Sequence, residues 1–314
     1  MAKTAFLFPG QGSQSVGMGK ALYDNFPVAK SVFDAADAAL GYPISKLCFE
    51  GPEEELRKTV NTQPAILTVS IAALRVLEEA GVTADITAGH SLGEYSALVA
   101  AGVLDFADAV RLVNKRGAFM QEAVPLGEGA MAAVMGIERE KVVTICAEIE
   151  KEFGAVQAVN FNCPGQIVIA GKTPAVEKAA EALKSAGAKR AILLPVSAPF
   201  HSTLLQPAAE KLAVELAKVE FNEPKIPVVA NVNGKASASK AGIQELLVRQ
   251  AANPVLWEDC VATVAEFGAT VSVEVGPGKV LTGFTKKIAP QVATLNVEDL
   301  ESLQKTLDYF KEVR

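Results

Sequence analysis

Histidine and cysteine are both scarce in this chain, and their scarcity excludes several kinds of site. Only two of the 314 residues are histidines, His90 and His201. The four cysteines have neither CxxC spacing nor a histidine nearby in the sequence; they are Cys48, Cys146, Cys163 and Cys260. Because a zinc site needs clustered Cys and His ligands, we expect no bound metal. The cysteines are expected to be reduced and packed in the interior.

An excess of positive charge and long apolar runs are also missing. The formal net charge is −6 at pH 7, and no Lys/Arg run is interleaved with aromatic residues, which argues against nucleic acid as a partner. No apolar stretch is expected to reach membrane-spanning length. The apolar run at the N-terminus stops at Pro9-Gly10, too early for a signal peptide. These absences together predict a cytoplasmic protein that does not contact a membrane.

The segment Gly89-His90-Ser91-Leu92-Gly93 has the G-x-S-x-G pattern in an informative setting. Residues 84–88 before it are typical of a short buried strand, and residues 94–101 after it are typical of a helix. A sharp turn from strand to helix strains the serine backbone and lifts its hydroxyl above the sheet. The helix N-terminus also offers unpaired N–H groups to a developing oxyanion. A glycine-rich turn with an incidental serine is the alternative, and the flanking strand and helix argue against it.

An exposed serine nucleophile needs a base, and only the two histidines are candidates. His90 adjoins the serine, so we expect its side chain to leave the turn in another direction. His201 is therefore the predicted partner of Ser91, although the two are far apart in the sequence. Its pKa is expected near the histidine reference of about 6.5, unless burial changes it. The alternative is a histidine that only caps a helix or packs in the core.

The order of strand-like and helix-like segments indicates an α/β fold with two parts. Between residues 126 and 196 the pattern is β-α-β-β-α-β, with Cys163-Pro164-Gly165 turning the central hairpin. We predict a small ferredoxin-like domain there, inserted into a large α/β-hydrolase-like domain with a mostly parallel sheet. The large domain is discontinuous and comprises residues 1–125 and 197–314. A cleft between the two domains is the expected place for a substrate.

Four ordered sequence blocks closely resemble those of the bacterial malonyl-CoA:acyl carrier protein transacylases, and they run from residue 4 to beyond residue 280. The blocks are Phe8-Pro9-Gly10-Gln11-Gly12-Ser13-Gln14, Gly89-His90-Ser91-Leu92-Gly93-Glu94, Pro199-Phe200-His201-Ser202 and Glu274-Val275-Gly276-Pro277-Gly278-Lys279. The acyltransferase domains of polyketide and animal fatty acid synthases share these blocks more loosely.

This resemblance implies an activity and its partners. In the family, a malonyl group moves from malonyl-CoA to the phosphopantetheine thiol of acyl carrier protein through a malonyl-serine intermediate, in fatty acid biosynthesis. The implied partners are malonyl-CoA, CoA and an acidic acyl carrier protein that binds transiently. No cofactor is implied, since malonyl-CoA is a substrate and the carrier protein brings its own phosphopantetheine.

The resemblance also implies roles for individual residues. It makes Ser91 the nucleophile and His201 the base that later protonates the leaving thiolate. The backbone N–H groups of Gln11 and Leu92 match the family's oxyanion hole. The carbonyl of Gln250 matches the group that holds the histidine Nδ1–H. An uncharged group still fixes the tautomer of the histidine, although it is expected to stabilise the imidazolium less than a carboxylate would.

Arg116 lies on the helix predicted from about residue 105 to residue 122, and it matches the arginine that pairs with the malonyl carboxylate in this family. A planar, permanently charged guanidinium suits bidentate carboxylate binding better than an ammonium group does. The alternative is a solvated helix face, since Arg111 and Lys115 lie on the same helix.

Three further residues are predicted at the cleft. Phe200 precedes the histidine at a position that is associated, in the wider family, with the acyl branch accepted. Its bulky ring leaves less room for an α-methyl group and so favours malonyl, although one methyl in a pocket is worth only ~1–3 kcal/mol. Asn160 and Asn162 are predicted to line the cleft at the edge of the small domain, with ordinary polar residues at a hairpin end as the alternative.

Two other functions remain open from the sequence. A serine thioesterase or esterase on a related framework usually has an Asp or Glu that orients the histidine, in the order Ser…Asp…His, and no HGGG-like loop or obvious acid is present here. A catalytically silent acyl-binding module would not need all of the predicted site residues together. Binding of an acidic carrier protein predicts a basic patch, for which Lys286-Lys287 and Lys189-Arg190 are the candidates.

Overall fold

The computed structural model describes residues 3–196 and 198–313, so the predicted domain boundary at residue 197 lies outside the described residues. The strands are β1 (Lys3–Phe8), β2 (Ile86–Gly89), β3 (Gly129–Met135), β4 (Val156–Cys163), β5 (Gln166–Lys172), β6 (Arg190–Leu193), β7 (Val228–Val229), β8 (Ala236–Ser237), β9 (Ala269–Val275) and β10 (Ala293–Val297). The helices are α1 (Lys20–Asn25), α2 (Pro27–Leu40), α3 (Ile44–Glu50), α4 (Glu53–Leu56), α5 (Thr59–Glu79), α6 (Gly93–Ala100), α7 (Phe106–Glu122), α8 (Arg139–Phe153), α9 (Thr173–Ser185), α10 (Gln206–Leu216), α11 (Ile243–Ala251), α12 (Trp257–Glu266), α13 (Val280–Ile288) and α14 (Leu300–Glu312). A 3₁₀ turn, Thr203–Leu205, precedes α10.

The larger sheet has the strand order β10-β9-β1-β2-β7-β8, and its strands are parallel except β8, which runs antiparallel to β7. Successive side chains of β1 point to opposite faces. Phe6 and Phe8 join the core that includes α5, α6 and α7, whereas Ala5 and Leu7 join the core that includes α12 and α13. Both faces of the central strands are therefore covered by helices. The prediction of an α/β fold with a mostly parallel sheet is confirmed.

The second sheet is antiparallel and has the order β4-β5-β3-β6. Helices α8 and α9 pack on it, and the predicted β-α-β-β-α-β succession of elements is present. Cys163 pairs with Gln166, and the turn between them joins β4 to β5. The sheet is also tied to the rest of the molecule, since Phe161 N–H donates to Val255 O and Val255 N–H donates to Val159 O.

Helix α5 is the longest helix in the described residues, and it lies in the core. Its 21 residues are long and apolar enough to cross a membrane by length and composition alone, which corrects the expectation that no stretch reaches that length. However, 83% of its most apolar window is buried inside the molecule, as in the core helix of a globular protein. Pro64 removes one N–H from this helix, and Asn114 Nδ2 donates instead to the carbonyl of Val60 at 2.9 Å.

Strands β1 and β2 bring two turns together at one edge of the larger sheet. They pair in parallel, with Phe8 opposite Gly89. Because the carboxyl ends of these parallel strands lie at the same side of the sheet, the turn after β1 lies against the turn after β2. A Cβ at Gly10 would stand only 2.4 Å from the carbonyl oxygen of His90. Glycine at position 10 therefore allows the two turns to meet.

Candidate active site

The turn from β2 to α6 presents Ser91 in a strained conformation. Strand β2 ends at Gly89, α6 begins at Gly93, and Ser91 between them has a φ of 52°. A Cβ at Gly89 would stand 1.9 Å from the carbonyl oxygen of Gly93, and a Cβ at Gly93 would stand 2.1 Å from that of Phe8. Close backbone contacts therefore require both glycines, and the serine lies on a tight turn between a strand and a helix.

His201 is hydrogen bonded to this serine. The Ser91 Oγ and His201 Nε2 atoms are 2.7 Å apart, and His201 Nδ1 lies 2.8 Å from the carbonyl oxygen of Gln250. Since a carbonyl oxygen only accepts, Nδ1 carries the proton and Nε2 is free to accept the serine hydroxyl proton. The φ of His201 is 63°, so both members of the pair have left-handed backbone conformations. Such strain persists only where the surrounding structure enforces it.

The surroundings of His201 keep its imidazole neutral. Burial lowers the pKa of His201 to about 3, and the positive charge of Arg116 acts in the same direction. This pKa is lower than the expected value of about 6.5, because the ring is buried beside a cation. A neutral imidazole at neutral pH is the form that can accept a proton from the serine.

The other histidine is directed away from the serine hydroxyl. His90 Nε2 lies 2.9 Å from Asn162 Oδ1, and the His90 ring packs against Trp257 with 5.5 Å between the ring centroids. Burial lowers the pKa of His90, so this ring is also neutral. It forms part of the wall of the site, and its Nε2–H donates to Asn162 Oδ1 and not to the serine.

Arg116 is buried beside the serine, with only 1% of its surface exposed. Its Nη1 donates to Gln63 Oε1 at 2.7 Å. Its Nη2 donates to Ser91 Oγ at 3.1 Å and to Gln250 Oε1 at 3.0 Å. All of these direct hydrogen-bond partners are neutral, and they hold the guanidinium 3.1 Å from the serine oxygen.

The neighbouring cations on α7 have different surroundings. Arg111 pairs with Asp108 and Lys115 pairs with Glu215, and both cations are about half exposed. Arg116 forms no ion pair with any residue of the described ranges 3–196 and 198–313. The alternative of a solvated helix face therefore holds for the two neighbours and not for Arg116. A buried guanidinium without a carboxylate partner is suited to bind the carboxylate of a ligand.

Two backbone N–H groups beside the serine are available to a ligand. Neither Gln11 N–H nor Leu92 N–H donates a hydrogen bond to any residue that the structure describes. Leu92 directly follows the serine, and Gln11 follows Gly10, which brings the first turn against the second. Both residues line the same cavity as Ser91. Two such donors can bind the oxyanion that forms when a serine attacks a carbonyl carbon.

A cavity of about 400 Å³ lies over these groups. The predicted cleft residues Phe200 and Asn160 line it. Asn162 is not among its lining residues and lies behind His90, to which it is hydrogen bonded. Asn160 Oδ1 is buried and has no hydrogen-bond partner in the described part of the chain. The other lining residues include Met120, Met131, Leu194, Pro195 and Val196, so one wall is apolar.

Three further buried polar residues belong to the site, and the sequence patterns did not indicate them: Gln63, Glu94 and Asn231. Asn231 Oδ1 accepts the backbone N–H of Ser91 at 2.7 Å, and Asn231 Nδ2 donates to the carbonyl of Gly89 at 2.8 Å. Glu94 is the one charged residue of α6, whose other residues are mostly apolar, and that contrast could have indicated it. Gln63 and Asn231 have no local signal, because their contacts are with residues far along the chain.

The described residues contain no group of three or more His, Cys, Asp or Glu side chains that could hold a metal ion. All four cysteines are free and buried, and burial raises the pKa of each thiol. A thiol that stays protonated is a poor nucleophile. Ser91 is therefore the nucleophilic side chain that faces the cavity.

An activated serine, a neutral histidine and two free N–H groups define an enzyme that transfers acyl groups through a serine ester. The chain belongs to the acyl transferase domain family, whose model matches residues 5–308. It is 51% identical over 312 residues to a malonyl CoA-acyl carrier protein transacylase of Bacillus subtilis (strain 168), a match that covers 99% of this chain and 98% of that protein.

Solved structures are similar over the same length. A malonyl CoA-acyl carrier protein transacylase from Clostridium perfringens has a TM-score of 0.96 and 50% sequence identity, covering 99% of this chain and 98% of that one. A second structure contains a type II PKS acyl-carrier protein in complex with its malonyl-transacylase, and it matches with a TM-score of 0.95 and 49% identity over 98% of this chain and 100% of that one. The similarity therefore extends over both sheets and not only over the serine motif.

Proposed function

We propose that the protein transfers a malonyl group from malonyl-CoA to the phosphopantetheine thiol of acyl carrier protein, as a step of fatty acid biosynthesis. The observation that carries the proposal is the buried guanidinium of Arg116, whose Nη2 lies 3.1 Å from Ser91 Oγ. It offers a cation for a carboxylate beside the atom that attacks a thioester, and malonyl-CoA has both groups. The similar proteins from Bacillus subtilis and Clostridium perfringens are malonyl CoA-acyl carrier protein transacylases, which supports the same substrate.

In the first half-reaction, Ser91 attacks the thioester carbonyl of malonyl-CoA while its hydroxyl proton moves to His201 Nε2. The carbonyl oxygen becomes an oxyanion that the N–H groups of Gln11 and Leu92 bind. The carbon–sulfur bond then breaks, and CoA leaves as its thiol with the proton from His201. The Gln250 carbonyl holds the imidazole in place throughout, through its bond to Nδ1.

In the second half-reaction, the thiol of the carrier protein takes the place of CoA. His201 accepts the thiol proton, the sulfur attacks the malonyl-serine carbonyl, and the same two N–H groups bind the second oxyanion. Collapse of that intermediate returns the proton to Ser91 Oγ and releases malonyl carrier protein. The cycle is a covalent, ping-pong reaction in which each half uses the same groups in reverse order.

The walls of the cavity support the choice of acyl group. Arg116 pairs with the malonyl carboxylate, because its guanidinium is held by neutral oxygens and has donors left for an anion. Phe200 limits the room beside the α-carbon, which favours malonyl over a branched group. Asn160 lines the cavity and forms part of the wall that the substrate meets. Asn162 supports this wall through His90.

Other parts of the prediction also belong to this proposal. The strand order β4-β5-β3-β6 with α8 and α9 supports a ferredoxin-like domain at residues 126–196, and the parallel sheet with its serine turn supports a hydrolase-like domain at residues 1–125 and 197–314. We propose a cytoplasmic enzyme that uses no cofactor. Its proposed partner is an acyl carrier protein, in line with the complex of one similar protein with an acyl-carrier protein. We expect this partner to be acidic and to bind transiently.

The surroundings of the histidine favour this transferase over a serine thioesterase. Its Nδ1 is held by the backbone carbonyl of Gln250 and not by an Asp or Glu side chain. A silent acyl-binding module is disfavoured because Ser91 and His201 are already at hydrogen-bonding distance. A hydrolase would release the acyl group to water, whereas a transferase protects the acyl-serine until an acceptor thiol arrives.

Intact-protein mass spectrometry after mixing with malonyl-CoA tests the proposal. We expect a single malonyl adduct on Ser91 and on no cysteine. Ser91→Ala is the matched control, and an adduct that survives it would refute the assignment of the nucleophile. Addition of holo acyl carrier protein should then move the malonyl group to the carrier. Loss of the adduct at the same rate without any carrier protein would indicate a thioesterase instead.

A further inference from the structure

A chain of hydrogen bonds connects Arg116 to a buried carboxylate. Arg116 Nη2 donates to Gln250 Oε1 at 3.0 Å, and Gln250 Nε2 donates to Glu94 Oε2 at 2.7 Å. The direction of the chain is fixed, because a guanidinium only donates and an ionised carboxylate only accepts. The side chain of Gln250 must therefore face the cation with its oxygen and the carboxylate with its nitrogen.

Glu94 lies in the first turn of α6 with 2% of its surface exposed. Its Oε2 also accepts the backbone N–H of Asn231 at 3.1 Å. Both donors to this carboxylate are uncharged. The cation that acts on Glu94 is therefore Arg116, at the other end of the Gln250 amide. Burial raises the pKa of Glu94 to about 7, and the charge of Arg116 opposes that rise without cancelling it.

The other titratable groups that face Glu94 are neutral near pH 7. Tyr95 follows it on α6, and Cys260 faces it from α12. Burial raises the pKa of Tyr95 to about 12 and that of Cys260 well above its ordinary value. His201, on the far side of Gln250, is neutral as well. Above pH 7, Glu94 and Arg116 are thus the charged pair of this network, and their charges balance before a substrate binds.

A malonyl carboxylate at Arg116 would bring a second anion to the same cation. We propose that Glu94 is a positioning residue that acts through Gln250: it balances and orients the Arg116 guanidinium before substrate binds, and its carboxylate competes with the substrate's carboxylate for that cation. The inference rests on the proposed function, because only an acyl group with a free carboxylate meets this competition. The competition weakens the ion pair between Arg116 and the malonyl carboxylate, so the malonyl group is not held too tightly in the ground state.

The substitution Glu94→Gln separates the charge from the hydrogen bonds. The amide oxygen can still accept from Asn231 N–H and Gln250 Nε2, so the network keeps its direction while the negative charge is lost. We expect the concentration of malonyl-CoA that gives half-maximal labelling of Ser91 at pH 8 to fall about 3- to 10-fold. The inhibition constant of acetyl-CoA, measured as a competitor of the same labelling, should change less than about twofold.

The pH dependence gives a second measurement. In the wild type the Glu94 carboxyl is protonated below its pKa of about 7, so its competition for Arg116 is weak at pH 6. At that pH, Glu94→Gln should therefore bind malonyl-CoA only slightly more tightly than the wild type does. In the wild type, the ratio of the malonyl-CoA concentration for half-maximal labelling to the acetyl-CoA inhibition constant should therefore rise from pH 6 to pH 8. The CoA part of both ligands titrates identically and cancels in this comparison. This measurement tests the inference even if Glu94→Gln fails to fold.

Glu274→Gln is the matched control. Glu274 is another buried carboxylate, it lies outside the cavity, and it accepts hydrogen bonds from Leu281 N–H, Thr282 N–H and Thr282 Oγ1 at the start of α13. This variant should leave both CoA constants unchanged. Equal shifts for malonyl-CoA and acetyl-CoA in Glu94→Gln, or weaker malonyl binding, would overturn the inference. A wild type that malonyl-CoA does not label at all would instead remove the proposed function itself.

Discussion

At the scale of single residues, the proposed chemistry depends on the 2.7 Å contact between Ser91 Oγ and His201 Nε2. For His201→Ala we expect malonyl transfer to drop by roughly 10²–10⁴, the usual worth of positioned acid–base catalysis. His90→Ala is the matched control, because it removes an imidazole from the same wall and leaves the serine contact intact. Rapid-quench measurement of the acyl-serine would show the difference. Near-normal turnover in His201→Ala would mean that His90 or water takes the proton.

Arg116 gives the sharpest residue-scale test of the substrate. Breaking a desolvated pair between this guanidinium and the malonyl carboxylate costs about 3–5 kcal/mol, because one charge is left without its partner. Arg116→Ala should therefore lower malonyl transfer by two or more decades, at ~1.4 kcal/mol per tenfold. Acetyl transfer should change far less, and Arg116→Lys should recover only part of the loss, since lysine lacks the planar fork.

The control for that test lies on the same helix. Arg111 is half exposed and pairs with Asp108, so Arg111→Ala should leave both transfers within about twofold of the wild type. Parallel assays with malonyl-CoA and acetyl-CoA decide the outcome. An equal loss for both substrates in Arg116→Ala would make the arginine structural, and another cation would then have to bind the malonyl carboxylate.

At the scale of elements, the serine turn depends on contact between backbones. A Cβ at Gly93 would stand 2.1 Å from the carbonyl oxygen of Phe8, so Gly93→Ala must move β1 and α6 apart. We expect a loss of stability of about 1–3 kcal/mol or more and a slower labelling of Ser91, because the turn and the strand both move. Urea unfolding and the labelling rate measure the two effects.

Gly283→Ala is the matched control for the glycine of the turn. Gly283 lies inside α13, and a Cβ there would meet no atom within 4 Å. Because alanine is the better helix former, we expect this substitution to stabilise the protein by roughly 0.5–1 kcal/mol and to leave labelling unchanged. If both glycine variants behaved alike, the close approach at Gly93 would not limit the fold.

Most elements could be predicted from the sequence because their signals are local. Asp105 was the expected start of a helix, and its side chain caps α7 by accepting from Ala107 N–H and Asp108 N–H. The patterns that predict the strands of the second sheet and the helices α8 and α9 are equally local. Strand β7 is only two residues long, Val228–Val229, and these are the residues that pair with β2. Ends of elements depend on such partners, and a single sequence does not show them.

At the scale of the whole molecule, the site is assembled from distant parts of the chain, and this limited its prediction. The motifs indicated Ser91 and His201, and resemblance supplied the roles of Arg116 and Gln250. No pattern could show that the Gln250 side chain joins a cation to a carboxylate, because that contact spans 156 residues between Gln250 and Glu94. Asn231, 140 residues from Ser91, was missed for the same reason.

The last prediction concerns how the stability of the whole fold depends on pH. Burial raises the pKa of Glu274 from 4.5 to about 7 in the folded protein. Between these two values the folded state holds a proton that the unfolded state has lost, so the wild type loses stability as the pH rises through this window. The amide of Glu274→Gln does not titrate, although it loses one acceptor at a cost that is independent of pH. Between pH 4.5 and pH 7, the free energy of unfolding of the variant should therefore rise relative to that of the wild type, by up to about 3 kcal/mol.

Urea unfolding of both proteins across this range measures the gain. Glu181→Gln is a useful contrast, because Lys178 lowers the pKa of that exposed carboxyl, and its contribution is lost only as the pH falls. A stability difference between wild type and Glu274→Gln that stayed constant with pH would show that Glu274 ionises in the folded state as it does in the unfolded chain. The start of α13 would then hold an ordinary carboxylate, and the three hydrogen bonds to Glu274 would fully offset its burial.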